Sequence, residues 1–330
     1  MSIGSDQAVL IWGEVLWDRF PDGARLGGAP SNVAWHLGQA GGWARLVSRV
    51  GNDAVGRSAI EQLSQVCDTD LVQIDPERAT GEVLVEVSGG EPRYTLVPGR
   101  AWERIECTPD VAEAIAEAGV LIYGTLSQHT ETGLASWRKA IAAASGCLKV
   151  CDINLRRRSA ASAERISGGS GVSFQQDPRT GVRLSMQTFT PEQLAAWEAI
   201  AAADIIKVND AELARLSEWF GWRDGLAELR TGARVVAVTH GKAGATLYGE
   251  DRVVEIEGVP APPGGDNVGC GDAFIAILVH GMTLGWGLEM SGRAAARWAS
   301  AVAGVRGATP LFDDERIDEL LGVPREETAA

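Results

Sequence analysis

Short apolar runs alternate with amphipathic stretches along almost the whole chain, and this alternation limits the fold more than any other feature. The runs are AVLIWG (8–13), ARLVSRV (44–50), VLIYG (120–124), LKVCDIN (148–154), DIIKVN (204–209) and RVVAVTH (234–240). Helical periodicity covers 30–40, 53–66, 130–144, 191–203, 210–219, 271–284 and 286–304. Strands alternating with helices of this length predict βαβ units around one doubly wound sheet. With 330 residues and 45% hydrophobic side chains, one large α/β unit is within reach and needs no disulfide or metal staple.

Two segments break the pattern. From Thr80 to Gly99 apolar and polar residues alternate at period two on either side of Ser88-Gly89-Gly90, which predicts a hairpin inserted between α/β units. From 157 to 187 the chain is rich in Ser, Gly and Arg. Its turn signal, Asp177-Pro178-Arg179-Thr180-Gly181, separates two short strand-like runs and marks an excursion from the core.

Charge and cysteine usage exclude several functions. The net charge of −14 argues against nucleic acid, because phosphate backbones select basic surfaces. The same charge means that an anionic substrate needs strong local compensation. The five cysteines include no Cys-x-x-Cys, and the four histidines are scattered, so reduced thiols and no transition-metal site are expected. The start, MSIGSDQAVLIWGE, lacks a basic n-region, and no apolar run has membrane-spanning length. A cytoplasmic protein without a membrane partner is the resulting expectation.

Three motifs carry chemistry. In DNVGCGDAF (266–274), Gly269 and Gly271 flank Cys270 at the mouth of a helix, where unpaired N–H groups and the dipole favour phosphate. Asp272 at that mouth repels phosphate, which makes sense if it takes a proton from an attacking hydroxyl. The alternative is a glycine turn with Asp272 as a helix cap. In LGGAPSNVAWHLGQAGG (26–42), Gly27 and Gly28 precede an N1-like Pro30. Asn32 there offers both a donor and an acceptor to a polyol, and Asp18 just upstream offers an acceptor for adjacent hydroxyls. The alternatives are a cap and a solvated charge. In VNDAELARL (208–216), Asn209 and Glu212 stand three apart at a strand-to-helix junction. They suit magnesium-bound water, or equally a capping box. Neither Gly-x-Gly-x-x-Gly nor a P-loop occurs, which disfavours dinucleotide and P-loop folds.

Taken in order, these motifs resemble those of the ribokinase-like (PfkB-type) carbohydrate kinases over nearly all of the chain. GGAPSNVAWHLGQAGGWARLVSRVGNDAVG is similar to the family's N-terminal signature, DNVGCGDAF to its C-terminal one and VNDAEL to its Asn-x-x-Glu motif. GEVLWD, AWERI (101–105) and DINLR (152–156) look most like fructokinases. The resemblance implies a ribokinase-like α/β/α sandwich spanning 1–330, with a small β-sheet lid from segments near 14–26 and 80–99. It implies ATP-dependent phosphorylation of a sugar hydroxymethyl group, D-fructose first. Other sugars or sugar acids (ribose, 2-keto-3-deoxygluconate), a nucleoside, or a non-catalytic sensor are the alternatives.

By position, the resemblance makes Asp272 the base and Gly269, Cys270 and Gly271 the anion hole. It gives the sugar to Asp18, Gly27, Gly28, Asn32 and Arg156. Lys207, Asn209, Thr239, Gly241 and Gly244 fall to the nucleotide, and Glu212 with Asn209 to Mg²⁺. A homodimer through the lid is the family-based expectation. Cys270 stands where the family has alanine, so oxidation sensitivity is expected. Asn267 and Val268 replace Thr-Thr, which leaves K⁺ activation open.

Overall fold

The computed structural model describes residues 7–88, 91–155, 174–176, 183–185 and 189–322. Arg156, most of the 157–187 excursion and the last eight residues lie outside the described residues.

Strands β1 (Val9–Trp12), β4 (Ala44–Gly51), β5 (Val72–Asp75), β8 (Val120–Tyr123), β9 (Leu148–Asp152), β12 (Ile205–Asn209) and β13 (Val235–Thr239) pair in parallel. Strands β14 (Gly244–Tyr248) and β15 (Val253–Glu257) extend one edge antiparallel, giving the order β15-β14-β13-β12-β9-β8-β1-β4-β5. The period of two divides the apolar side chains between two helix layers. Val9, Ile11, Ile122, Ile205 and Ala237 face one core, shared with α1 (Ala29–Gln39), α2 (Ala54–Leu63), α8 (Cys270–Thr283), α9 (Leu288–Ala303) and α10 (Asp314–Leu321). Leu10, Trp12, Leu121, Tyr123, Ile206 and Val236 face the other. That core is shared with α3 (Pro109–Glu117), α4 (Glu131–Ala143), α5 (Pro191–Ala202), α6 (Asp210–Phe220) and α7 (Gly225–Arg230). Because helices cover both faces, the central parallel strands are mostly apolar, which makes a buried charge inside them conspicuous.

A second sheet has the order β3-β2-β6-β7, from β2 (Leu16–Phe20), β3 (Gly23–Gly27), β6 (Gly81–Ser88) and β7 (Glu91–Leu96). β6 and β7 pair antiparallel across 89–90, where the alternation placed a hairpin. β6 also pairs in parallel with β2. Glu82 ties this sheet to the body, its carboxylate bridging Arg19 and Arg100. In the excursion, β10 (Phe174–Gln176) and β11 (Arg183–Ser185) pair antiparallel. Among the described residues, no helix is long and apolar enough to cross a membrane.

Most helices start in the ordinary way. Asp53, Thr130 and Asp224 accept an N–H from the first turns of α2, α4 and α7, and Thr190 and Asn209 form full capping boxes at α5 and α6. Helices α1 and α8 do not. They open on Gly28 (φ 101°) and Gly269 (φ 77°), with no side-chain cap.

Candidate active site

The C-terminal ends of parallel strands are where open α/β sheets bind ligands. Here Asp152 ends β9, Asn209 ends β12 and Thr239 ends β13. Helices α1 and α8 also meet one another at their starts.

Asp272 sits in the first turn of α8 and is 5% exposed. It does not cap the helix. Its Oδ2 accepts from Asn32 Nδ2 at 2.8 Å, and its Oδ1 lies 3.4 Å from Asn154 Nδ2. Asn154 carries a left-handed φ of 39°, which aims its amide across the gap from β9. Among the described residues no side chain caps the first-turn N–H groups of α8, a setting that favours an anion. Gly269 has to be glycine: φ is positive, and a Cβ would come within 2.5 Å of Ala308 Cβ.

Lys207 lies under this turn. It is 4% exposed, donates to Asp152 Oδ1 at 2.9 Å, and its Nζ is 2.7 Å from where a Cβ on Gly271 would stand. Burial alone would pull the ammonium down, but the carboxylates of Asp152, Glu212 and Asp272 outweigh it and hold it above the usual lysine range. The site so gains a fixed positive charge inside an acidic protein. The sequence placed Lys207 along the nucleotide. The structure puts it behind the Gly269–Gly271 turn, because its strand position faces α8.

The sugar candidates cluster at the other helix start. Asp18 on β2 is 9% exposed, and a side chain at Gly27 would run into its carboxylate. A Cβ on Gly28 would stand 2.5 Å from Glu14 O. Asn32 is 3% exposed, and its Oδ1 has no partner among the described residues. A buried acceptor in that state calls for a donor from a ligand, such as a hydroxyl. Arg156, assigned to the sugar by resemblance, is outside the described residues.

Asn209 and Glu212 adopt the capping-box alternative. Asn209 Oδ1 accepts Glu212 N, and Glu212 Oε2 accepts Asn209 N, both at 2.9 Å. Glu212 Oε1 accepts Leu155 N, while burial raises the carboxyl above the usual range despite Lys207. Each oxygen keeps a lone pair for a water, so the pair fits an outer-shell contact to Mg²⁺ rather than direct ligation. Among the described residues no three His, Cys, Asp or Glu side chains are grouped to hold a metal ion. Thr239, Gly241 (φ 56°) and Gly244 (φ 108°) form the tight turn after β13. His240 in that turn bonds Asp210 and Thr246 Oγ1.

Cys270 bears on the expected oxidation sensitivity. Burial, with the negative charges of Asp272 and Asp266, pushes its thiol up to about 12. A thiol raised in this way disfavours the thiolate, the form that oxidants attack. Asp266 is engaged by backbone, with Oδ1 accepting Val268 N and Oδ2 accepting Gly307 N.

The sequence reading missed Glu14, Asp152 and Asn154. Glu14, 4% exposed, accepts Ala29 N at 3.2 Å. For Asp152 a signal existed, since a carboxylate in a strand buried on both faces needs a reason.

The pfkB family carbohydrate kinase profile matches residues 23–168 and 176–315. An uncharacterized sugar kinase of Pyrococcus horikoshii is 28% identical over 300 residues, covering 89% of this chain and 85% of its own length. Its crystal structure superposes with a TM-score of 0.74 over 96% of this chain and 97% of its own. A fructokinase of Klebsiella pneumoniae is 30% identical, covering 82% of this chain and 84% of its own. A fructokinase of Xylella fastidiosa with bound ATP, 18% identical, shares the fold at a TM-score of 0.76 over 96% and 98% of the two chains.

Proposed function

The chain belongs to the pfkB family of carbohydrate kinases, and we propose that it transfers the γ-phosphoryl group of Mg-ATP to a hydroxymethyl group of D-fructose, with Asp272 as general base. The observation that carries this reading is the placement of the Asp272 carboxylate. It stands at the uncapped, positive start of α8, held by Asn32 from the helix that begins at the sugar candidates.

Mg-ATP would supply the phosphoryl group, and its metal would neutralise phosphate charge. The protein supplies the rest. Asp18 and the free Oδ1 of Asn32 orient the sugar. An Asp272 oxygen takes the proton of the sugar hydroxyl as the hydroxyl oxygen bonds to phosphorus and the bond to ADP breaks. The first-turn N–H groups of α8, backed by Lys207, hold the charge on the transferring group. Asn209 and Glu212 would hold the metal through water. Residues 239–244 line the nucleotide. The β3-β2-β6-β7 sheet is the lid that shuts water out over the sugar and so suppresses ATP hydrolysis. A homodimer would use the same sheet, where Leu84 is 45% exposed.

The test is ADP release with Mg-ATP across a sugar panel headed by D-fructose, with and without K⁺. Fructose-dependent turnover well above the sugar-free rate is expected. Turnover on another sugar alone would retain the mechanism and replace the substrate. Silence across the panel, in protein that binds ATP, would favour a non-catalytic sensor.

A further inference from the structure

Helix α1 uses one face twice. Asn32, Trp35, His36 and Gln39 fall at i, i+3, i+4 and i+7, so they line one side. Asn32 holds Asp272. The other three hold the segment behind the anion hole. Trp35 Nε1 and Gln39 Nε2 donate to Pro310 O at 2.9 and 2.8 Å, and Gln39 Oε1 accepts Phe312 N at 2.9 Å.

His36 is the innermost of these and is wholly buried. Trp298 Nε1 points at its Nδ1 from 3.1 Å, and its Nε2 lies 2.8 Å from Ala308 O. An indole N–H can only donate, so Nδ1 accepts and the ring proton sits on Nε2, donating to Ala308. Burial pulls the ring down to about 4, against the Ala308 bond, which works the other way, and the neutral ring is the form present near pH 7. Ala308 is itself buried and packs directly on Gly269. Asp266 joins the same two segments through Val268 N and Gly307 N.

We propose that His36 is a positioning residue for phosphoryl transfer: by fixing Ala308 it fixes Gly269, the hinge on which the α8 N–H groups are aimed. This rests on the kinase reading. The histidine is wholly buried and acts through the Ala308–Gly269 contact.

The test compares His36→Gln with His36→Phe. Gln keeps a donor for Ala308 and an acceptor for Trp298, whereas Phe keeps a ring and loses both. Hydrogen exchange of the peptide spanning 266–274 is read first and steady-state kinetics second. In the Phe variant the loop should exchange about tenfold faster. Its kcat should fall about tenfold to a hundredfold, with the sugar KM within about twofold. The Gln variant should recover both. Ala308→Gly, which leaves the histidine's acceptor in place and deletes the methyl against Gly269, should loosen the same peptide, and it serves if the Phe variant does not fold. Unchanged exchange in the Phe and Gly variants would overturn the proposal. So would equal losses of kcat in Gln and Phe that track a fall in Tm. If the wild-type protein turns over no sugar, the kinase reading fails, while the exchange measurement still decides whether His36 holds this loop.

Discussion

Helix α1 begins at Gly28 and helix α8 at Gly269, each on a glycine at positive φ with no side-chain cap, yet a carboxylate stands behind the first and an ammonium behind the second. Glu14 already takes the Ala29 N–H and places negative charge at the α1 start. That start is therefore unsuited to phosphate and suits neutral hydroxyls. Lys207 places positive charge under the α8 start, whose N–H groups no side chain caps among the described residues. Two similar turns thus sit beside buried charges of opposite sign, Glu14 in the β1–β2 connection and Lys207 on β12, which would give them different ligand preferences. The two ends meet at the Asn32–Asp272 bond, where the acceptor hydroxyl and the phosphoryl group would come together.

The comparison can be broken at its meeting point first. Asp272→Asn removes the proton acceptor and keeps the shape. It should fold and bind ATP while turnover falls about a thousandfold; wild-type turnover in that variant would remove Asp272 from the chemistry. Lys207→Met comes next. It leaves buried Asp152 unpaired, so a loss of about 3–5 kcal/mol in denaturant titration is expected, together with about a hundredfold in kcat. Adding Asp152→Asn should return much of the stability and little of the rate. A double variant with wild-type kcat would show that the charge behind α8 is structural only. On the α1 side, Glu14→Gln keeps an acceptor for Ala29 and drops the charge. It should raise the sugar KM by about tenfold or less and leave kcat unchanged, since the neutral bond is weaker by about 1 kcal/mol. The smallest effect belongs to Cys270. Its thiol, raised to about 12, should alkylate far more slowly at pH 8 than an ordinary thiol and faster as pH rises. Cys270→Ala should change kcat by less than about twofold. Rapid labelling at pH 8 would mean that the α8 start is more open or more cationic than described.

The two helix starts were legible because their signals are local. Gly-Gly-Ala-Pro and Gly-Cys-Gly-Asp each state a turn and a helix within four residues, and the parallel strands other than β5 stood out by their apolar runs. What stood behind each start was not legible. Lys207 meets Asp152 across 55 positions, and Asp272 meets Asn32 across 240. No short window reports such a pairing. The capping box at Asn209 was read as one of two options, and periodicity could not choose between them. Helix α7 spans only six residues, Gly225–Arg230, and α10 is a short charged stretch packed by its last two leucines, so neither shows a full helical stripe in sequence. Strand β15 alternates with charged residues at an exposed edge and lacks the run that marked the inner strands.

The face of α1 that holds Asp272, Ala308 and Pro310 has a consequence for how the molecule is made. Its partners lie 240, 272 and 275 positions downstream. During synthesis the sugar-side helix waits, with its histidine, tryptophan and amides unsatisfied, until residues 266–312 have left the ribosome. Such distant contacts form slowly and late. A chain released early could hold its first strands and helices and still have no active site, so among the products of translation only a nearly finished chain can begin to spend ATP.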